Sequence, residues 1–370
     1  MKLYDRKEEC CGCSACAAVC HRHAITMRQD REGFYYPAVN EKICVNCGEC
    51  FRACPLKNEK KNSANIGYYG ARNTKEAVRE RSSSGGIFSI LADYVLEKNG
   101  AVFAAGYDSK MQVVHMEVRK PEELDKVRRT KYVQSDMGTI YQQMNDRLQD
   151  GTWVLFVGTP CQTEALRRYL KKDFQKLITV SLICYGAASP GIWQRYIHYL
   201  SRKYKSPVIE YNFRDKRNRD NGHTVSWKNG KGERAYSLYD DLYCRMYFRN
   251  LIIRPSCHQC QFCTTERGSD FTIGDFWGIE NVRPDEEDGM GNSLVIVHSK
   301  KAEAVWADVK ERCRSFECSR EDILQPRLLK PTECSDRRKI FMWLYRFVPF
   351  SLLEKKQNLR KILSKIGKHG

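Results

Sequence analysis

The first segment of the chain reads Cys10-x2-Cys13-x2-Cys16-x3-Cys20 and then Cys44-x2-Cys47-x2-Cys50-x3-Cys54-Pro55. The same spacing occurs twice, and the second run ends in Cys-Pro. This is the spacing of the bacterial 4Fe-4S binding run. A cubic cluster needs four thiolates converging on one small object. A looping CxxCxxC stretch supplies three of them. The fourth Cys of each run is expected at the start of a short helix, from which it reaches the other cube. The spacing therefore predicts one cluster on Cys10, Cys13, Cys16 and Cys54, and a second on Cys44, Cys47, Cys50 and Cys20. Zinc sites use paired CxxC units with longer gaps. Disulfides need an oxidising compartment, and the N-terminus MKLYDRKEEC has no apolar stretch of an export signal. The first run departs from the pattern at His21, which stands where the second run has Pro55. Cys11 is a spare thiol beside Cys10, able to exchange with it as ligand.

Working outward, residues 8–56 resemble a two-cluster bacterial ferredoxin. The chain has 370 residues, enough for two or three domains. Of its 18 cysteines, nine precede residue 55, which points to cofactor ligation in a reducing cytoplasm. No apolar run is long enough to span a membrane. The formal charge of +18 invites a nucleic-acid reading, but no recognition motif accompanies it, and no nucleic acid is expected. Basic residues beside anionic clusters and phosphates give part of the charge an internal use.

The expected architecture is α/β (α+β): a ferredoxin-like dicluster domain over 1–56, a polar linker over 57–66, and an α/β domain with a largely parallel sheet over 67–335. Its two halves would meet near residue 150, and a basic tail would follow over 336–370. Strands are expected at 67–71, 101–107, 112–118, 153–157, 177–183, 208–214, 224–227 and 294–297. Helices are expected after 86 and at 141–148, 164–171, 190–204 and 301–313. Strands 153–157 and 177–183 are continuously apolar and alternate with helices, as in a parallel sheet. Ligands of such sheets bind beyond the C-terminal strand ends, where Cys161 and Cys184 lie. The segment Arg81-Ser-Ser-Ser-Gly-Gly86 opens a helix, where free backbone N–H groups suit a phosphate or a flat ring. A serine cap with a glycine turn is the plainer reading. In the tail, Leu359, Ile362, Leu363 and Ile366 share one helical face. A basic amphipathic helix of this kind suits peripheral membrane contact, or it packs on its own domain, as the aromatic run 341–350 suggests.

Cys257, Cys260 and Cys263 repeat CxxCxxC without the fourth Cys. From spacing alone they are a third cluster completed by Cys161 or Cys184, a zinc site, or free thiols.

The ordered set GTPCQ (158–162), LICYG (182–186), RPSCHQC (254–260) and SDFTIGDFWGIE (269–280), with RSSSGG (81–86) and KYVQSD (131–136), resembles the family of coenzyme F420 hydrogenase/dehydrogenase β-subunits. The resemblance covers 67 to about 320. It implies an FAD-binding iron–sulfur flavoprotein, related to plant hydroxymethyl-chlorophyll reductase and ferredoxin-dependent vinyl reductases. It also implies a third 4Fe-4S cluster on Cys161, Cys184, Cys257 and Cys260, with Cys263 an extra thiol able to replace one of them. Flavin contacts are implied at Ser83, Ser84, Gly85, Gly86, Lys131, Tyr132, Gln134 and Ser135, with Gly158 and Thr159. Asp270, Asp275 and Trp277 would line the site or, equally, form a packed β-turn, with Arg214 and His223 as weaker candidates. Tyr185 departs from a position where many relatives have histidine, which removes the basis for a proton relay there.

The expected function is a cytoplasmic oxidoreductase. It would pass electrons between ferredoxin, another redox protein or a reduced deazaflavin and a small-molecule substrate, through 4Fe-4S clusters and FAD. The alternative is a non-catalytic electron-transfer subunit of a larger redox complex. No motif names a substrate or a catalytic acid.

Overall fold

The computed structural model describes residues 2–59, 65–217 and 224–354. His223, most of the charged loop 216–221, the middle of the linker and the tail face at Leu359, Ile362, Leu363 and Ile366 lie outside the described residues.

The two cysteine runs fold alike. Helices Ala15–Ala18 and Glu49–Arg52 start at equivalent points, each launched by a left-handed residue, Ser14 (φ 65°) and Gly48 (φ 77°). That turn aims the chain into a helix straight after the second Cys of each run. Cys16 and Cys50 therefore sit inside the helices, and Cys20 and Cys54 lie just past their ends rather than at their starts. The correction follows from the spacing: four residues is about one helical turn. Between the runs, β1 (Ile25–Gln29) and β2 (Tyr35–Val39) pair antiparallel. This hairpin was not expected, since Pro37 argues against a strand interior and is tolerated only at an edge.

The main body is an eight-stranded sheet. Its strands are β3 (Gly67–Asn73), β4 (Ala101–Tyr107), β5 (Val113–Val118), β6 (Val154–Gly158) and β7 (Leu177–Leu182). A separate antiparallel sheet holds β8 (Val208–Asp215), β9 (Thr224–Asn229) and β10 (Gly232–Ser237). The main sheet is completed by β11 (Phe271–Asp275), β12 (Ser293–Val297) and β13 (Cys313–Glu317). Its order is β13-β3-β12-β11-β7-β6-β4-β5. The four middle strands, β11, β7, β6 and β4, run parallel, and the flanks are antiparallel. Every residue of β6 and of β12 is buried, as continuous apolar strands covered on both faces must be.

Helix Ile87–Leu96 buries Ile87, Ile90, Leu91 and Val95 on the sheet. Each such side chain contributes about 1.5–3 kcal/mol. Helix Pro160–Leu170 starts earlier than expected, because Thr159 and Gln162 form a reciprocal capping box around Pro160. The helix expected to reach Cys313 stops at Val309, and Cys313 opens β13.

Two packing features position the site. Cys13, Ala15 and Ala53 share a core with Phe103, Tyr141, Phe156 and Leu166, so the ferredoxin-like segment is built into the main body. The first part of the tail is also core: Phe341, Met342, Tyr345, Phe350 and Leu353 pack with Trp193, Tyr196 and Tyr243.

Candidate metal centres

The thiols gather in three places. Cys10, Cys13, Cys16 and Cys54 line one cavity, together with Cys11 and Cys50. Cys16 feels the charges of Cys10 and Cys54, and Cys54 that of Cys10. Backbone amides of Ala15, Ala17 and Leu56 donate to Cys13, Cys16 and Cys54. Such N–H to sulfur bonds stabilise anionic clusters. Cys50 sits with Cys47 and Cys20, and the Ala24 amide donates to the Cys20 sulfur at 3.3 Å. Cys44 lies on the same loop as Cys47, its thiol 3.7 Å from the Asn46 Oδ1.

The third group is assembled from distant parts of the chain. Cys161 stands at the end of β6 in the first turn of helix Pro160–Leu170, and Cys184 two residues past β7. Cys257 and Cys260 come from the turn after Arg254. Cys184 feels Cys257, Cys161 and Cys260, and Cys257 feels Cys260 and Cys161. Cys263 faces Cys260 and Cys184. The amide of Ala187 donates to the Cys257 sulfur at 3.4 Å.

Burial pushes these thiols up, Cys257 to about 12 and Cys16, Cys54 and Cys184 above their ordinary value, with neighbouring sulfurs adding to the effect. Thiolates packed this way need a bound cation to exist. The first set rings a cavity. That donor chemistry fits a cube.

Cys11 links the first and third groups. Its thiol interacts with Cys13 on one side and Cys161 on the other. Around it the two segments interlock. Gln134 Nε2 donates to the carbonyls of Cys11 and Gly12 at 2.9 and 3.1 Å, and the Tyr141 hydroxyl to that of Cys13 at 2.8 Å. Arg254, fully buried, donates to the Cys10 and Tyr35 carbonyls at 2.7 and 2.9 Å and to Gln134 Oε1 at 2.9 Å. Its guanidinium lies over the Tyr36 ring. Arg267, beside Cys184, Cys260 and Cys263, is pulled down to about 10 by burial. Sequence reasoning assigned no role to Arg254 or Arg267, although Arg254 opens the RPSCHQC motif.

The ten residues implied for a flavin divide between two places. Ser83 Oγ accepts from the Thr130 amide at 2.8 Å, and Ser84 Oγ donates to the Asn292 carbonyl at 2.8 Å. Gly85 packs so closely on β3 and β12 that a Cβ would come within 2.5 Å of the Ala71 carbonyl; its amide donates to Ser293 Oγ. Gly86 (φ 85°) turns the chain into helix Ile87–Leu96. Close by, Lys216 donates to the carbonyls of Arg79, Ser84 and Met290, and burial pulls it down to about 7. Lys131 is likewise pulled down to about 7 by burial and donates to the Arg128 and Arg129 carbonyls. Tyr132 stacks on Tyr247 at 4.8 Å and meets Arg214, which is ion-paired with Asp275. The remaining four candidates face the thiols: Gln134 holds the Cys11 loop, Ser135 accepts from Gln162, and Gly158 and Thr159 lead to Cys161, with Thr159 Oγ1 3.2 Å from its sulfur.

Asp270 does not line this region. It sits where β11 begins, accepting from Thr179 and Ser299 and facing Lys301. Trp277 is 54% exposed. Tyr185 donates to Asn250 at 2.7 Å.

Two thiol groups in the N-terminal segment, with a third at the strand ends of a mixed sheet, have the donor sets of an iron–sulfur protein. Comparison with known families agrees. Residues 9–58 match the 4Fe-4S dicluster domain. Residues 68–141 and 151–318 match the N-terminal and C-terminal models of the coenzyme F420 hydrogenase/dehydrogenase beta subunit. The chain belongs to that oxidoreductase family, preceded by a 4Fe-4S-binding dicluster domain.

One of the subunits of the F(420)H(2) dehydrogenase of Methanosarcina mazei is 24% identical over 190 residues, covering 47% of this chain. The chain spans about half (53%) of that curated relative's length. A solved chain of the F420-reducing [NiFe] hydrogenase complex from Methanosarcina barkeri is 17% identical, with a TM-score of 0.45 over 82% of this chain and 94% of that one. Among the described residues, no helix is long and apolar enough to cross a membrane.

Proposed function

We propose that this chain is an electron-transfer subunit of a redox complex of the F420 hydrogenase/dehydrogenase type. One observation carries the reading: Cys11 stands in interaction range of both Cys13 and Cys161, so the N-terminal thiol sets and the thiol set of the main body are neighbours in one continuous structure. Cys10, Cys13, Cys16 and Cys54 would hold one 4Fe-4S cluster; Cys20, Cys44, Cys47 and Cys50 a second; Cys161, Cys184, Cys257 and Cys260 a third. When bound, such clusters supply one-electron transfer with potentials set by charge, hydrogen bonds and exposure. The chain's own residues do the rest. The amides of Ala15, Ala17, Leu56 and Ala187 donate to ligand sulfurs, Arg254 and Arg267 place buried positive charge beside them, and the core around Tyr141 and Phe156 excludes water.

A second reading, a flavoenzyme acting on a small molecule with ferredoxin or a reduced deazaflavin as donor, is favoured by Arg214. Its Nε is buried without a hydrogen-bond partner among the described residues, beside Tyr132 and Lys216. A buried cation with a vacant donor, beside a lysine that reaches the Ser84 carbonyl, suits the acceptor atoms of an anionic cofactor such as FAD. Ser83, Ser84, Gly85, Gly86, Lys131 and Tyr132 would surround it.

Reductive titration of the anaerobic holoprotein separates the two. The relay reading expects three electrons per chain and no flavin absorbance. Two further electrons with bleaching of a flavin band would replace it with the flavoenzyme.

A further inference from the structure

We propose that the surface carrying Ile43, Val45 and Cys47, together with the adjoining groove of Arg52, Arg167, Lys171 and Lys172, is the docking site for a small acidic redox protein. The proposal rests on the relay reading and adds the place where electrons enter or leave. Of the cysteines in residues 9–58, Cys47 alone is exposed; the others are buried or half-buried. Electron tunnelling weakens steeply with distance, so an external partner has to meet the chain near its most exposed thiol set.

The surface there has the anatomy of an interface. Ile43 and Val45, on the same loop as Cys44 and Cys47, are 40% and 56% exposed. Arg52 Nη2 donates to the Cys47 carbonyl at 2.7 Å, tying this loop to an open groove lined by Arg52, Arg167, Arg168, Lys171, Lys172 and Asp173. Five cations face Asp173, Glu49 and Glu164 there, an excess of positive charge. Basic residues at the end of helix Pro160–Leu170 also complement its dipole. That role explains Arg167 and Arg168. Arg52 has the same place in helix Glu49–Arg52 and pairs with Glu49, but none of this explains the exposed Ile43 and Val45 or the surplus of positive charge. Exposed apolar residues on the Cys47 loop, next to a basic groove that Arg52 ties to that loop, suit a protein partner, whose acidic residues would ring its own redox group. In the exchange, one electron leaves the reduced partner, which is oxidised by one, and enters this chain, which is reduced by one. No bond is made or broken.

The test uses anaerobic holoprotein and, as probe, a dithionite-reduced small acidic two-cluster ferredoxin in stopped-flow mixing. The wild-type rate should fall steeply with added salt. The variant R167Q/K171Q/K172Q should react about tenfold or more slowly at low salt and converge on the wild type at high salt. Val45→Ser should slow the reaction at all salt concentrations. Direct reduction by excess dithionite should be the same in every variant, which also reports intact clusters. A salt-independent wild-type rate, or variants as fast as the wild type, overturns the docking surface alone. So does salt-sensitive binding of a DNA duplex that these substitutions abolish while the ferredoxin rate is untouched. A wild-type protein that takes no electron even from dithionite overturns the relay reading, and the docking site with it.

Discussion

The Arg254 guanidinium reaches across from the main body to Cys10, its Nε donating to the Cys10 carbonyl at 2.7 Å and its Nη2 lying 3.6 Å from the Cys10 sulfur. Arg254 has no solvent exposure, so its charge must be met inside the protein. A ligand thiolate is the natural partner, and each electron added to a cluster there strengthens the attraction. Arg254→Gln is therefore expected to lower the midpoint potential of the first N-terminal cluster. A differential of about 1 kcal/mol corresponds to on the order of 40 mV for one electron. Arg254→Lys keeps the charge and should shift less. An EPR-monitored redox titration reads the shift. An unchanged potential in Arg254→Gln at full iron content would show that the residue only fastens the two segments.

The six thiols near the third site are not equivalent. Cys184 feels Cys161, Cys257 and Cys260 together, Cys263 faces Cys260 and Cys184, and Cys11 is shared with Cys13. Serine at Cys161, Cys184, Cys257 or Cys260 should each remove about four irons per chain, the content of one cube. Serine at Cys11 or Cys263 should remove none. Loss of iron from Cys263→Ser with retention in Cys257→Ser would reassign the ligand.

Gly85 separates a structural from a ligand-binding role for the serine–glycine segment. A methyl group there would meet the Ala71 carbonyl at 2.5 Å and the Ser293 amide at 2.7 Å, both backbone atoms that cannot step aside. Gly85→Ala is expected to cost about 1–3 kcal/mol of stability. Denaturant unfolding measures it. An unchanged midpoint would mean that the sheet yields at this point.

Two buried histidines set an acid limb. Burial holds His115 at about 4, its Nε2 facing the Val157 carbonyl at 3.1 Å. Burial, then Arg267, holds His298 at about 3, between Thr272 and Asn65. Both lie below the ordinary 6.5, so the unfolded chain takes up protons that the folded chain refuses. Stability is then complete above pH 6.5 and falls as the pH drops toward 4. Each histidine should remove about 1 kcal/mol between pH 6.5 and 5.5, and His298→Gln should lose that share of the dependence. A variant with the same slope as the wild type contradicts the assignment.

What the sequence disclosed follows the range of each interaction. The N-terminal thiol spacing is local, and the structure brings together Cys54 with Cys10 and Cys16, and Cys20 with Cys50. The apolar strands β6 and β7 and their helices were readable from periodicity alone. Spacing offered Cys161 or Cys184 as partners of the Cys257 run but did not decide between a cluster, zinc and free thiols; the full set Cys161, Cys184, Cys257 and Cys260 came from the family resemblance. Arg254 was visible as a motif letter but not as a clamp, since its partners Cys10, Tyr35 and Gln134 are 244, 219 and 120 residues away. Strand β11 was not expected, since its segment read as site lining or as a β-turn and holds Gly274. The glycine is needed because a Cβ would come within 2.7 Å of the Ile183 side chain. Asp270 read as a site residue, yet its carboxylate serves Thr179 and Ser299.

The central claim is that three thiol sets hold three cubes in one chain. Iron and acid-labile sulfide per chain, measured on anaerobically purified protein, test it most directly. About 12 of each are expected, four per cube. About eight of each, with zinc or free thiols at Cys161, Cys184, Cys257 and Cys260, would contradict it.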